Sequence, residues 1–254
     1  MDLTTYRQSD LERERVHELL EMVPHDSETA LDVGARDGFI SIRLSELVPE
    51  ITALDLTTPN ITHPSITTVA GDATALPFPD NHFDLVLCSE VLEHIPRPGL
   101  DAACLEIARV TRKYALIGVP FNQDTRVART TCIACGAKNP PWGHVNTFVE
   151  RDLLRLFSTM QPLRTGFVGL NFDQTNFVST ILNDWAGNPW GTYEQDEPCV
   201  ACGAKLVAPK VRSFSSRVLS RLAYTINRAQ RAIQPGRPNW IHVLFIKSNG
   251  QEGT

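Results

Sequence analysis

Four cysteines stand in two copies of one pattern, Cys132-Ile133-Ala134-Cys135-Gly136 and Cys199-Val200-Ala201-Cys202-Gly203. Two residues between thiols let both sulfurs of a turn face one ion, and the following glycine permits the tight bend. Two such turns supply the four thiolates of a closed tetrahedral zinc site. Roughly sixty residues separate the pairs, more than in the usual fingers. A disulfide reading is poorer in a compartment that keeps thiols reduced, and a redox reading would need one pair at a helix start. Cys88 and Cys104 read instead as buried apolar residues. A second constellation is acidic and glycine-rich: Asp32-Val33-Gly34-Ala35-Arg36-Asp37-Gly38, then Asp55, then Gly71-Asp72-Ala73. An apolar strand end runs into Gly34 and Gly38, which permit a sharp turn and a close helix start whose free N–H groups face a polar ligand. Asp55, about twenty residues on, is placed to accept hydrogen bonds from both hydroxyls of a ribose. Asp72 is placed to bond an exocyclic amine.

These residues need a sheet to hold them. Residues 30–33, 51–55, 66–70, 83–88 and 114–119 read as buried strands, alternating with helices at 39–44 and 100–110. Ser9-Asp10-Leu11-Glu12 has capping-box spacing and opens a helix to about residue 22, with Leu11, Val16, Leu19 and Leu20 toward the core. Residues 148–157 give a further helix, 163–170 a sixth strand and 240–246 a seventh. Strands alternating with helices imply a parallel sheet covered on both faces.

Taken in order, Asp32 with Gly34 and Gly38, Asp55, Gly71-Asp72-Ala73 and Val91-Leu92-Glu93-His94-Ile95 resemble the class I S-adenosylmethionine-dependent methyltransferases of the type 11 kind. The resemblance is close over residues 28–120 and returns weakly at the last strand. It implies an α/β fold, a Rossmann-like seven-stranded mostly parallel sheet with helices on both faces. It also implies S-adenosylmethionine as cofactor: Asp32, Gly34, Ala35 and Gly38 at its amino-acid end, Asp55 at the ribose, Asp72 and Ala73 at the adenine, Ser89 beside the methyl. The family's middle glycine is Arg36 here, so that side chain must point away from the cofactor or reach over it. A dinucleotide-binding domain, the nearest rival, would show a three-glycine spacing that is absent. Glu90, Glu93 and His94, with His144 further on, resemble the set by which small-RNA 2′-O-methyltransferases and some quinone-pathway O-methyltransferases hold magnesium or manganese. The same stretch occurs in methyltransferases without metal, where acid and imidazole fix the loop; His94 and His144 then remain as base or pocket wall.

Within that fold both cysteine turns hang from the rim where cofactor binds. Zinc is therefore expected to tie residues 122–143 and 171–238 into a small lid over a domain formed by 1–121, 144–170 and 239–248. Asp124 and Arg126 follow the fifth strand within reach of a substrate or as a solvated loop. Trp142, Trp185, Trp190 and Tyr193 would stack on a sugar or aromatic acceptor, or fill the core of the lid. The implied reaction is methyl transfer to oxygen of a small-molecule or glycan-like acceptor. The alternatives are metal-assisted RNA 2′-O-methylation and a non-catalytic, cofactor-binding zinc protein.

The 254 residues, 42% hydrophobic and 21% charged with net charge -5, suffice for one well-buried core plus an insert. No apolar run approaches bilayer length, and the N-terminus lacks a secretory-type segment, so a cytoplasmic location is the expectation. The charge is uneven: residues 198–251 hold no Asp or Glu but many Lys and Arg. There Val211, Phe214, Val218, Leu222, Ile226, Ala229 and Ile233 form an apolar stripe opposite Arg212, Arg217, Arg221, Arg228 and Arg231. Residues 210–233 thus read as a helix packed on the lid or a second subunit, or as a peripheral membrane-surface contact. No nucleic-acid module is recognisable.

Overall fold

The computed structural model describes residues 6–209 and 211–248, and the chain divides into two units. Lys210 and the first five residues, which enter the readings of the basic tail and the N-terminus, lie outside the described residues. The larger unit comprises residues 6–121, 148–169 and 239–248; the smaller comprises 122–147 and 170–238.

The larger unit holds strands β1 (Thr29–Val33), β2 (Glu50–Asp55), β3 (Ile66–Ala70), β4 (Phe83–Ser89), β5 (Thr111–Pro120), β6 (Gln161–Val168) and β7 (Trp240–Ile246). They form one sheet in the order β3-β2-β1-β4-β5-β7-β6. The first five strands are parallel, and β7 runs antiparallel to both β5 and β6. Alternation along each strand feeds two cores. Leu31, Val33, Val86, Cys88, Ile117, Ile241 and Val243 enter one with helices α3 (Gly99–Val110) and α4 (Glu150–Leu156). Ala30, Leu85, Leu87, Leu116 and Leu244 enter the other with α1 (Asp10–Glu21) and α2 (Phe39–Leu44). By the same period of two, Asp32 and His242 share the second face.

Several boundaries differ from the sequence reading, β5 among them, which begins three residues early at Thr111. The helix expected from 148 starts at Glu150, because Phe148 forms a parallel bridge to Phe121 and Val149 is extended at the cap. β6 begins two residues earlier and ends at Val168, before Gly169 with φ +70°. On α1, Ser9 Oγ accepts the Glu12 N–H at 3.2 Å, and the buried face holds Glu12 and Arg15 beside Val16 and Leu19. Leu11 and Leu20 are only half-buried.

Among the described residues the smaller unit contains a two-stranded ribbon pairing Thr130–Thr131 with Lys138–Asn139, and two α-helices, α5 (Phe177–Trp185) and α6 (Phe214–Arg231). α5 was not anticipated, although Asn176 caps it by accepting the Ser179 N–H at 2.9 Å. α5 and α6 are antiparallel: Ser216 Oγ donates to Ala186 O at 2.7 Å at one end, and Asn176 Nδ2 to Gln230 Oε1 at 2.6 Å at the other.

Candidate functional site

The chain leaves β1 toward β2 and β3 on one side, then crosses to β4 on the other. A crevice therefore opens beyond the carboxyl ends of β1 and β4, where such sheets bind ligands. The Gly34 to Gly38 loop lines it. Gly34 and Ala35 donate their N–H groups to Leu54 O at 2.8 and 3.0 Å, and Gly38 donates to Ala35 O at 2.8 Å. Gly34 has φ +80° and Gly38 φ +82°; a Cβ at either would come within 2.3 Å of Val91 or 2.5 Å of Ile61. Both glycines are thus required by conformation and by space. Arg36 is exposed at φ 50°, and its backbone N–H donates to Asp55 Oδ2 at 2.8 Å. Asp55 Oδ1 accepts the Leu56 N–H at 2.7 Å, so the carboxylate closes the loop and stands beside Leu56, an apolar side chain 74% exposed. Asp72 accepts from the Thr74 N–H and hydroxyl at 2.8 and 2.7 Å, which hold its carboxyl below the usual range. Ala73 is buried beside it.

Asp32 is buried, and its Oδ2 accepts the Ser41 hydroxyl at 2.5 Å. Burial pushes its carboxyl up to about 6, against the pull of Ser41. The folded chain therefore holds a proton that the unfolded chain has lost between about pH 4 and about pH 6, and stability falls as pH rises through that window. The shift corresponds to about 3 kcal/mol. Asp32→Asn should flatten this part of the pH profile of denaturant unfolding; an unchanged slope would assign the titration elsewhere.

Beyond β4 lies a polar cluster buried in the same unit. Arg15 holds Glu12 through two contacts of 2.7 Å and donates Nη1 to Ser89 Oγ at 2.9 Å. Ser89, expected beside the methyl, is thus anchored from α1. Glu90, at φ 59°, bonds the Trp240 side chain; burial pushes its carboxyl up, with Arg15 opposing. Glu93 and His94 sit in a 3₁₀ turn, Leu92–His94. Glu93 is fully buried, neither of its oxygens has a hydrogen-bond partner among the described residues, and burial with the neighbouring Glu90 raises its carboxyl well above normal. His242 is buried against Glu18, through Nδ1. The sequence reading missed Glu12, Arg15, Glu18, Trp240 and His242. The usable signal was Arg15 three residues after Glu12, on the helix face that carries Val16 and Leu19.

In the smaller unit the four cysteine sulfurs lie within 4.8 Å of one another, with Cys132–Cys202 at 3.7 Å and Cys135–Cys199 at 3.6 Å. The edge of a tetrahedron with zinc–sulfur bonds near 2.3 Å is about 3.8 Å, so the set fits a zinc ion, while a disulfide requires about 2 Å. The two turns also match in backbone: Gly136 N–H to Cys132 O at 2.9 Å and Gly203 N–H to Cys199 O at 2.8 Å. Leu206, Ala137, Tyr193 and Ala204 pack around Cys132 and Cys199. Tyr193 is structural rather than a stacking platform, since its hydroxyl accepts the Thr131 N–H at 3.1 Å; Trp185 and Trp190 are exposed. Asp124 is likewise internal. Burial alone would raise its carboxyl, but Arg126 at 2.7 Å and the Thr175 N–H and hydroxyl at 2.8 Å outweigh that and hold it at about 2. His144 is buried, its Nδ1 2.6 Å from Gln123 Oε1. It lines a cavity of about 290 Å³ with Arg126, Arg129 and Lys138.

Residues 31–117 match a family model described as a methyltransferase domain. A demethylmenaquinone methyltransferase of Renibacterium salmoninarum is 38% identical over 87 residues, covering 32% of this chain and 36% of that protein. The chain thus spans about a third of the length of that relative. Among solved structures, the N-methyltransferase NodS of Bradyrhizobium japonicum superposes with a TM-score of 0.52 at 12% identity, covering 95% of this chain and 98% of that one. The [4+2]-cyclase SpnF superposes with a TM-score of 0.53 at 15% identity, covering 92% and 79%. At these identities the superpositions speak for the fold alone. Over residues 31–117 the chain is thus similar to methyltransferase domains, and its Rossmann-like seven-stranded sheet has the fold of those structures.

Proposed function

We propose that this protein is an S-adenosylmethionine-dependent methyltransferase that methylates an oxygen of a small, hydroxyl-rich, glycan-like acceptor, and that zinc ties its smaller unit together. The observation that carries the cofactor is the Gly34 to Gly38 loop closed onto the Asp55 carboxylate at the tip of β2. A carboxylate there suits a ribose, and the neighbouring Leu56 and Asp72 suit the two faces of recognition an adenine needs, apolar contact and an acceptor for its amine. The bound cofactor would supply an electrophilic methyl on a sulfonium sulfur. The chain's part is to bind, orient and exclude water. Arg15 fixes Ser89 at the end of β4, and buried Asp32 lies beside the loop that would receive the amino-acid end. His94 in the larger unit and, separately, His144 in the smaller unit are the candidates for the base that a hydroxyl acceptor needs, with Glu90 and Glu93 beside His94. The cavity at His144 supports a neutral, hydroxyl-rich acceptor: two of its cations are already compensated, Arg126 by Asp124 and Arg129 by Asp184.

A second reading is favoured by one feature, the buried Glu93 carboxyl whose oxygens lack hydrogen bonds among the described residues. Such a group suits a divalent ion. Magnesium or manganese held with Glu93 and His94 would then serve methylation of an RNA ribose. Incubation with methyl-labelled S-adenosylmethionine and fractionated cell extract separates the readings. Label in a small product stable to alkali, as an ether is, is expected. Label of RNA size that depends on added magnesium or manganese would move the assignment to the second, and cofactor binding without transfer would make the protein a sensor.

A further inference from the structure

Counting about 100° per residue from Phe214, α6 divides into three faces. Ser216, Leu219, Ser220, Ala223, Asn227 and Gln230 form the packed face: Ser220 is 2% exposed and Ala223 0%, and the two end contacts to α5 lie on this side. The remaining half is solvent-facing and itself divided. Phe214, Val218, Leu222 and, past the helix end, Ile233 form an apolar strip, with exposures of 82%, 42%, 50% and 85%. Beside it run Arg217, Arg221 and Arg228, all exposed and none with a carboxylate partner among the described residues. The apolar stripe read from sequence is therefore not the packing face. The packing was taken over by small residues that let α5 approach, and the bulky ones were left uncovered.

We propose that this face of α6 docks the protein on an anionic lipid surface. Charge complementarity selects the occupant: no acidic residue occurs between residues 198 and 251, so nothing along this segment offsets the arginines. A nucleic acid would satisfy the arginines but leave Phe214, Leu222 and Ile233 in water. A lipid headgroup layer takes both, the strip entering the acyl boundary and the guanidinium groups meeting phosphate. The helix lies on the membrane rather than crossing it; among the described residues no helix is long and apolar enough to span one. The inference is independent of the proposed reaction, because it is read by binding alone.

The test is flotation of the full-length protein with phosphatidylcholine vesicles, with and without phosphatidylglycerol. Binding is expected only when the anionic lipid is present. Replacing Arg217, Arg221 and Arg228 together by glutamate should weaken it on the order of a hundredfold or more, at about fivefold per positive charge lost. Phe214→Ser with Leu222→Ser should weaken it about tenfold or more with all arginines intact. All five side chains are exposed, and circular dichroism checks that the variants remain folded. Three outcomes would overturn the proposal: no flotation with either lipid, flotation indifferent to the arginines, or arginine-dependent binding to RNA that ignores the serine substitutions.

Discussion

Gly34→Ala should abolish measurable binding of S-adenosylmethionine and lower the stability of the larger unit by about 2–4 kcal/mol. Two costs combine. The position has φ +80°, where an L side chain is strained by about 1–2 kcal/mol. The new methyl would also lie 2.3 Å from Val91 Cγ2, an overlap relieved only by moving the loop or the turn after β4. Both border the crevice, so binding should fall further than stability does. Gly136→Ala is the natural comparison, because Gly136 shares the positive φ of 76° but has no atom within 4 Å of a built Cβ. The difference between the two variants isolates the overlap, and Val91→Ala placed on Gly34→Ala should recover that part alone. Calorimetric titration and urea unfolding read both quantities; binding at wild-type strength by Gly34→Ala would mean the loop does not receive the cofactor.

The second large effect concerns metal. Cys132→Ser with Cys199→Ser should reduce zinc from one ion per chain to none and unfold the smaller unit. Sulfur separations of 3.7 and 3.6 Å match a shared ion, and the hydrophobic cluster around the cysteines is far too small to hold the two turns unaided. Structural zinc in comparable peptides contributes about 10–16 kcal/mol to folding. Limited proteolysis should then cut within residues 122–147 and 170–238 while the sheet unit survives. Elemental analysis of reduced, metal-replete protein giving no zinc, or a double variant as protease-resistant as the parent, would remove the metal from the account.

The parts of the fold legible in sequence were those where burial dictates composition. Strands β1, β4, β5 and β7 are apolar on both sides because both sides are covered, and the glycine turn and the cysteine turns carry residue types that nothing else replaces. Residues whose type argues for the surface were not legible. Glu12 has the spacing of a capping box, yet its side chain turns inward to Arg15, and that pair with Ser89 and Glu90 forms a buried polar cluster that no hydrophobic pattern announces. α6 shows the complementary failure: its apolar periodicity was visible, but which face would pack depended on α5, a helix whose only local signal was the Asn176 cap. For Tyr193 two roles stay open in sequence, stacking or filling the small core, and the second is the one found, because it depends on Thr131, sixty-two positions away.

The most direct measurement is a titration of the wild-type protein and of Asp55→Ala with S-adenosylmethionine and its demethylated product, S-adenosylhomocysteine. Both should bind the wild type one to one, and Asp55→Ala should weaken each by about a hundredfold, the worth of two hydrogen bonds to a charged acceptor. Failure of the wild type to bind either molecule, or binding that Asp55→Ala leaves unchanged, would contradict the account at its centre.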